Sequence, residues 1–204
     1  NQELLDFLAS DFQENGWNLK VALKQILMSA TYRQSSTQVE TKVQKDAENK
    51  YLSYGSRRRL EAEFIRDNAL AMSGLLVNKQ GGAPVYPYQP KKVWEALHVA
   101  KNRSFEYPTS KGDNLYRRSL YTFWRRTIGP VNMFDSSDRQ ACRVKPGGTS
   151  TPLHALTTLN DPTWVEASRF LAERVMASAT TVPNRLAEAF RLVNARLPSA
   201  NERK

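Results

Sequence analysis

The sequence predicts an all-α protein, a multi-helix orthogonal bundle that contains one long irregular connector. Several segments repeat apolar residues three and four positions apart, which is the spacing of one helix face. No segment sustains the alternation of apolar and polar residues that a half-buried strand shows. Two capping residues followed by proline, Thr151-Pro152 and Asp161-Pro162, mark helix starts. These observations favour helices that pack on one another.

The N-terminal quarter predicts a helical hairpin followed by a polar loop. The first helix covers residues 3–14 and ends before Gly16, and Asn18 caps the second helix. Both helices carry an apolar stripe, so we expect the hairpin to pack on another surface. Residues 34–50 are polar and contain few large apolar side chains, which indicates an exposed, mobile loop.

The longest helix by pattern covers residues 57–77 and leads into an irregular stretch. The residues expected on the core side of this helix are Leu60, Phe64, Ile65, Met72, Leu75 and Leu76. From 78 to 113 the helical pattern fails, and Gly81-Gly82 precedes three evenly spaced prolines interleaved with Tyr86 and Tyr88. This composition indicates a polyproline-like connector whose tyrosines are exposed or lie on the domain.

A further helix is predicted over residues 115–127. At about 100° per residue its aromatic stripe faces inward, and its basic residues occupy the opposite and flanking faces. Those basic residues are Arg117, Arg118, Arg125 and Arg126. Opposite charges are concentrated in this helix, in the 57–77 helix and in the turn at 135–139. We therefore expect the three segments to meet and to pair their partly buried charges, Arg125 with Asp138 among them.

Two more helices are predicted near the C-terminus. Asp161 caps the first of them, and Arg169 pairs with Glu173 on its outer face. Its inward residues are Trp164, Ser168, Leu171 and Val175. The inward residues of the last helix are Leu186, Ala189, Phe190, Val193 and Leu197.

The length of 204 residues suits a single helical domain, 1–204, with an irregular insertion at about 78–113. No apolar run approaches the roughly 20 residues that cross a bilayer. At the abrupt C-terminus Ser199 and Glu202 have capping-box spacing, which indicates a segment of a longer protein.

The net charge of +10 favours polyanionic partners, and 18 of the 30 basic residues are arginine. Arginine suits bidentate pairing with carboxylate, phosphate or sulfate. The candidate ligand-binding residues form a basic surface interleaved with aromatics. They are Arg117, Arg118, Tyr121, Arg125 and Arg126. The alternative is that these arginines pair internally with Glu61, Glu63, Asp135 and Asp138.

The residues that could perform catalysis or bind a metal are few. A single cysteine, Cys142, excludes an internal disulfide and a zinc site built on several thiolates. The sequence also lacks the c-type haem motif, so we expect no metal or cofactor in this chain. His154 with Cys142 and Asp161 is better explained by structural roles. The rival, enzymatic interpretation uses a carboxylate pair drawn from Asp135, Asp138 and Glu61.

Nearly the whole chain resembles a bacterial domain of unknown function, number fifteen-fifty-three, found in large planctomycete-type proteins. The matching segments, in order, include ELLDFLASDF, GWNLK, LMSATYRQSS, RRRLEAEFIRD, PVYPYQP, LYRRSLYTFWRRT, STPLHALTTLNDP and VEASRFLAERV. The resemblance implies an exported protein, periplasmic or associated with the cell envelope, near polysaccharide-handling genes. It also implies a haem-binding cytochrome c-like module elsewhere in the polypeptide. His154 stands where relatives commonly carry glutamine, which argues against a catalytic histidine.

The expected function is that of a non-catalytic module of a larger exported protein. It would position a neighbouring module of the same polypeptide or bind an acidic or sulfated glycan. The alternative is an enzyme of unknown class that processes polysaccharide through the carboxylate pair. Nucleic-acid binding comes third, because the implied export makes it a poor fit.

Overall fold

The computed structural model describes residues 1–57, 59–90, 93, 107–125, 129–130, 133–135 and 148–203. Within these residues the secondary structure consists of eight α-helices, two 3₁₀-helices and two isolated bridges, without a strand. The all-α class predicted from the sequence is therefore confirmed. The chain forms two compact units, 1–59 and 60–204. The grouping of both units into one domain stays a prediction.

The first unit contains four helices, α1 (Gln2–Glu14), α2 (Leu19–Met28), α3 (Ala30–Arg33) and α4 (Glu40–Lys45). Asn1 caps α1 and Asn18 caps α2, because each side chain accepts hydrogen bonds from the first turn. Neither α1 nor α2 has a buried residue: in the apolar stripes of these helices Leu8 and Phe12 are half-buried, and the exposed members are Leu5, Leu19, Leu23, Ile26 and Leu27.

The segment 34–50 is more ordered locally than a polar loop. It contains α4, and the Asp46 carboxylate accepts hydrogen bonds from the backbone N–H groups of Lys50 and Tyr51, at 2.7 and 3.1 Å. The prediction of a loop is therefore wrong over Glu40–Lys45, which forms α4, whereas most of the segment is exposed as predicted. The Asp46 side chain closes the turn that follows the helix.

The second unit contains α5 (Ala62–Ser73), α6 (Pro152–Asn160), α7 (Pro162–Ser178) and α8 (Val182–Asn194). Its helices contact one another mainly through α7, which packs most extensively on α5 and also touches α6 and α8. The predicted helix starts at Pro152 and at Pro162 are confirmed, and the Asp161 carboxylate accepts from the Thr163 N–H at 2.9 Å. Gly74 ends α5 in the left-handed conformation, with φ of 82°.

The buried face of α5 differs from the predicted one. Phe64 and Leu60 are more than half exposed. The buried residues of the helix are Ala62, Arg66, Leu70 and Ser73. The most extensive helix contact of α5 is with α7, whose buried residues include Trp164 and Ala167. On α7, Ser168 is exposed, and on α8 Leu186 and Val193 are exposed, so those parts of the predicted inward stripes are wrong.

The predicted helix over 115–127 is wrong. Two short 3₁₀-helices, Gly112–Leu115 and Ser119–Tyr121, occupy the described part of this region. Between and after these 3₁₀-helices the backbone pairs with the chain around the connector. Val77 N–H donates to Tyr116 O at 3.0 Å. Val85 N–H donates to Tyr121 O, and Val85 O accepts from Phe123 N–H, both at 2.8 Å. These non-local bonds replace the bonds that would close an α-helix.

The described part of the connector, 78–90 and 107–113, is irregular as predicted up to the 3₁₀-helix at its end. Pro87 is fully buried. Tyr86 stacks on Phe123 with ring centroids 4.8 Å apart and meets Tyr107 edge-on at 5.4 Å. The connector tyrosines were expected either to be exposed or to lie on the domain. Tyr86 therefore follows the second alternative, because its ring packs on the second unit.

Candidate functional site

Arg66 of α5 occupies the centre of a buried polar cluster in the second unit. Its side chain is 1% exposed. One guanidinium nitrogen donates to Arg117 O at 3.0 Å and to Ser119 Oγ at 3.2 Å, and the other donates to Leu115 O at 2.8 Å. Burial lowers the pKa of Arg66, whereas the neighbouring charge of Asp67 acts in the opposite direction. The three bonds fasten residues 115–119 to α5.

Asp67 fastens the same segment from the next position along α5. One carboxylate oxygen accepts from both the N–H and the hydroxyl of Ser119, each at 2.7 Å. The other oxygen lies 3.9 Å from Nε of Arg118, whose side chain is 45% exposed. The expected meeting of the 57–77 and 115–127 segments is confirmed by these contacts. The expected pairing of Arg125 with Asp138 involves a residue outside the described ranges.

Arg117 forms a second set of bonds, to the loop at residues 79–83. Its guanidinium donates to the backbone carbonyls of Lys79, Gly81 and Ala83, at 2.9 Å to Lys79 and 3.2 Å to Ala83. The guanidinium carbon lies 4.0 Å from the ring centroid of Tyr121, whose hydroxyl accepts from Gly81 N–H at 2.9 Å. The 79–83 loop thus folds around Arg117, which we had expected on a flanking face of a helix.

We call Arg66, Asp67, Arg117, Ser119 and Tyr121 the arginine cluster. Its arginines donate mainly to backbone carbonyls, which an irregular segment leaves without helical or sheet partners. A guanidinium has five N–H donors in a fixed fork, so one side chain can satisfy several such carbonyls. The cluster holds irregular backbone in place through the terminal guanidinium nitrogens of Arg66 and Arg117.

Tyr116 and Glu166 form a separate pair beside α7. The Tyr116 hydroxyl donates to one Glu166 oxygen at 2.8 Å. Burial, followed by this hydrogen bond, raises the pKa of Tyr116 to about 12. Burial and the charge of Glu166 also raise the pKa of Tyr88. Phenols of raised pKa stay protonated near neutral pH, so they act as hydrogen-bond donors and not as general bases.

The structure places the five predicted ligand-binding residues in different settings. Arg117 is buried and bonded to carbonyls, and Tyr121 lies under its guanidinium. Arg118 is partly exposed beside Asp67, and Arg125 is exposed. Arg126 lies outside the described residues. Ligand binding by this set stays a prediction, but the helix that was expected to present the residues together is absent from the described part of 115–127.

The residues of the rival enzymatic interpretation do not form a described carboxylate pair. Glu61 is exposed at the N-terminal end of α5. Asp135 accepts from the backbone N–H and the hydroxyl of Thr149, at 2.7 and 2.6 Å. Asp138 lies outside the described residues. Both oxygens of Asp135 thus accept hydrogen bonds from Thr149.

The nucleophile arrangement considered from the sequence is also not described. His154 is the third residue of α6, and its buried ring stacks on Phe134 with centroids 4.2 Å apart. Asp161 caps α7, and Cys142 lies outside the described residues. In the described part of the chain, no three His, Cys, Asp or Glu side chains are grouped closely enough to hold a metal ion.

Sequence reasoning missed Arg66, Asp67, Ser119 and Glu166. A signal for Arg66 was available, because Ala62, Arg66 and Leu70 are spaced four apart on one helix face. A charged residue between two small or apolar residues on one helix face indicates a buried charge, which needs hydrogen-bond partners inside the protein. No local pattern identifies Ser119 or Glu166, because their partners lie about 50 residues away.

The family model PSD1, described as protein of unknown function (DUF1553), matches residues 1–204. The chain belongs to this family. The resemblance seen in the sequence motifs is thereby confirmed over the full PSD1 match. No curated protein and no solved structure matches the chain. Of the helices that the structure describes, none combines the length and the apolar character needed to span a bilayer.

Proposed function

We propose that this PSD1 chain is a non-catalytic helical module of a larger exported protein that binds a polyanionic glycan. The binding surface is the basic surface of the second unit. The module acts either by binding the glycan alone or by also positioning a neighbouring module of the same polypeptide. The exported setting, with haem elsewhere in the parent protein, follows from the family resemblance. Sulfated and uronate-rich chains have the repeated negative charge that such a surface attracts.

The observation that carries this proposal is that four arginines of the second unit bond to neutral backbone groups and are not ion-paired within the described residues. The arginines whose hydrogen bonds go to backbone carbonyls alone are Arg117, Arg174, Arg185 and Arg203. A carbonyl satisfies an N–H group but carries no net charge, so each guanidinium keeps its full positive charge. Two arginines, Arg66 and Arg118, lie within ion-pair distance of Asp67. The arginines paired with glutamate are Arg169, Arg191 and Arg196.

The composition of the second unit supports the same conclusion. Residues 60–204 contain 21 Lys or Arg against 13 Asp or Glu, a difference of +8, out of +10 for the chain. Internal hydrogen bonding therefore explains where many arginines lie without removing the positive field. A field of this kind raises the local concentration of a polyanion and accelerates its encounter.

Arg118 and Arg125 are the described members of the predicted surface that solvent reaches. Arg118 lies 3.9 Å from Asp67, a separation at the limit of an ion pair, and Arg125 is exposed. A sulfate or carboxylate of a ligand can accept two parallel N–H bonds from one guanidinium. Contacts with exposed arginines are weak individually and are screened by salt.

The test is calorimetric titration of the full chain with dextran sulfate, and with unsulfated dextran as the ligand control. We expect binding of the sulfated polymer alone, with affinity that falls steeply as the salt concentration rises. The double variant Arg118→Ala/Arg125→Ala should bind several-fold more weakly. The matched control Arg169→Ala/Arg191→Ala removes the same net charge from arginines that pair with glutamates.

Three results would contradict the proposal. One is an absence of dextran sulfate binding at low salt. Another is equal weakening by the two double variants, which would show that net charge alone acts and that the predicted surface does not. The third is the appearance of new reducing ends on sulfated glycans, abolished by Asp135→Asn, which would favour the enzymatic alternative.

A further inference from the structure

The first unit contains a solvent-open cavity of about 680 Å³ that belongs to no site described so far. We call it the N-terminal cavity. Its walls come from α1, from the α2–α3 corner and from the loops at 34–36 and 49–56. The volume lies inside the range of about 300–1,000 Å³ that is usual for small-molecule pockets.

The loops that form one wall are held by specific contacts. The Asn49 side chain donates to Tyr54 O at 2.9 Å and accepts from Tyr54 N–H at 3.4 Å. The Gln34 amide donates to Leu52 O. Gly55 N–H donates to Ser35 O at 3.1 Å, and a Cβ at Gly55 would come within 3.0 Å of Gln34 O. A side chain at 55 would therefore require the backbone at 34–35 to shift by a few tenths of an ångström.

The side chains that line the N-terminal cavity are all uncharged. Its apolar side chains are Leu4, Phe7, Leu8, Ile26 and Leu52. Its polar groups are hydroxyls and amides, and Tyr32 and Tyr54 add aromatic rings. A pocket without charged groups does not compensate the desolvation of an ion, so it favours an uncharged ligand.

Several of the lining polar groups are available to a ligand. Within the described chain, no residue is hydrogen-bonded to the side chains of Gln25, Thr31, Tyr32, Ser36 and Ser56. By contrast, the Ser29 hydroxyl donates to Ile26 O at 2.7 Å and accepts from Tyr32 N–H at 3.1 Å. The available amide and hydroxyls offer both donors and acceptors around an apolar floor.

We propose that the N-terminal cavity binds an uncharged polyhydroxylated molecule, in chemical class a neutral mono- or oligosaccharide. Such a molecule has hydroxyls that exchange hydrogen bonds with amides and with other hydroxyls. It also has C–H faces that pack on aromatic rings such as Tyr32 and Phe7. This inference is independent of the polyanion site, because the ligand is neutral and the residues lie in the other unit.

The experiment is saturation-transfer NMR, followed by calorimetry, on the full chain with maltotriose, cellotriose and xylotriose as probes. We expect at least one probe to bind, with an affinity that does not change with salt. Tyr32→Ala and Gln25→Ala should each weaken binding, Tyr32→Ala on the order of tenfold, through the lost ring contact and hydrogen bond. The matched control Tyr51→Ala removes an 81% exposed tyrosine of the same unit that does not line the cavity, and it should bind normally.

Circular dichroism of each variant confirms that its helices are retained, so that a loss of binding refers to the cavity. The inference is overturned if none of the three probes binds at millimolar concentration. It is also overturned if Tyr32→Ala and Gln25→Ala both bind with the affinity of the parent chain. Naphthalene serves as an apolar comparison probe. Binding of naphthalene without any of the sugars would equally overturn the inference, because the cavity would then select an apolar ligand.

Discussion

Replacing Arg66 by methionine tests whether the arginine cluster holds the second unit together. Arg66→Met keeps much of the side-chain volume but removes all three hydrogen bonds, which leaves the buried carbonyls of Leu115 and Arg117 without their donor. Each stranded carbonyl costs about 1–3 kcal/mol. Relief of the buried charge offsets part of this cost, so we expect a loss of about 2–4 kcal/mol in the free energy of unfolding.

The assay is urea unfolding followed by tryptophan fluorescence in a Trp17→Phe background. The three remaining tryptophans, Trp94, Trp124 and Trp164, all lie in the second unit, so the signal reports on that unit alone. The matched control is Arg169→Met, whose side chain is 78% exposed and pairs only at the surface with Glu173. It should change the free energy of unfolding by less than about 0.5 kcal/mol.

Equal effects of Arg66→Met and Arg169→Met would refute this reasoning, because burial and carbonyl bonding would then have no energetic consequence. Arg66→Lys provides a second comparison. Lysine keeps the positive charge but lacks the planar fork, so we expect it to recover only part of the loss.

Three other changes have definite expected outcomes. Asp161→Ala should lower the free energy of unfolding by about 0.5–2 kcal/mol, since the Thr163 N–H loses its cap, and an unchanged thermal transition would contradict the cap. Gly74→Ala should cost about 1–2 kcal/mol in the same assay from its left-handed φ of 82° alone, because no atom lies within 4 Å of an added Cβ. Tyrosinate absorbance should reveal one phenol with a pKa of about 12 that Tyr116→Phe removes. Because the folded state holds this proton more tightly, stability should fall as the pH rises from about 10 towards 12; a variant whose titration matches the parent chain would show that another tyrosine is responsible.

The helices were predictable where their signals are local. Asn18 and Asp161 cap helices through bonds that span two or three residues, and Pro162 follows its cap directly. Such signals are complete within a short window of sequence, so the starts of α2 and α7 follow from it.

The 115–127 segment was not predictable in the same way. Its residues have helical spacing, yet its backbone pairs with Val77 and Val85, which lie about 40 residues earlier. Side-chain bonds from Arg66 then supply partners for the carbonyls that remain. A single sequence does not show which distant groups will form hydrogen bonds in place of the helical ones. In the described part of this segment the distant bonds form and the α-helix does not.

The candidate site was predictable only in its residue types. The sequence indicated that arginine and tyrosine would lie together, and Arg117 does lie over Tyr121. The partners of Arg117 were not predictable, because backbone carbonyls occur at every residue and leave no signature.

The bonds that Arg117 makes to the 79–83 loop have a consequence for acid tolerance. Backbone carbonyls do not gain a proton in any ordinary range of pH, and guanidinium does not lose one. An arginine–carboxylate ion pair, by contrast, is lost once acid protonates the carboxylate. The bonds that join Arg117 to the 79–83 loop contain no carboxylate that acid could protonate. We therefore expect these bonds to persist at pH values at which the surface ion pairs are lost.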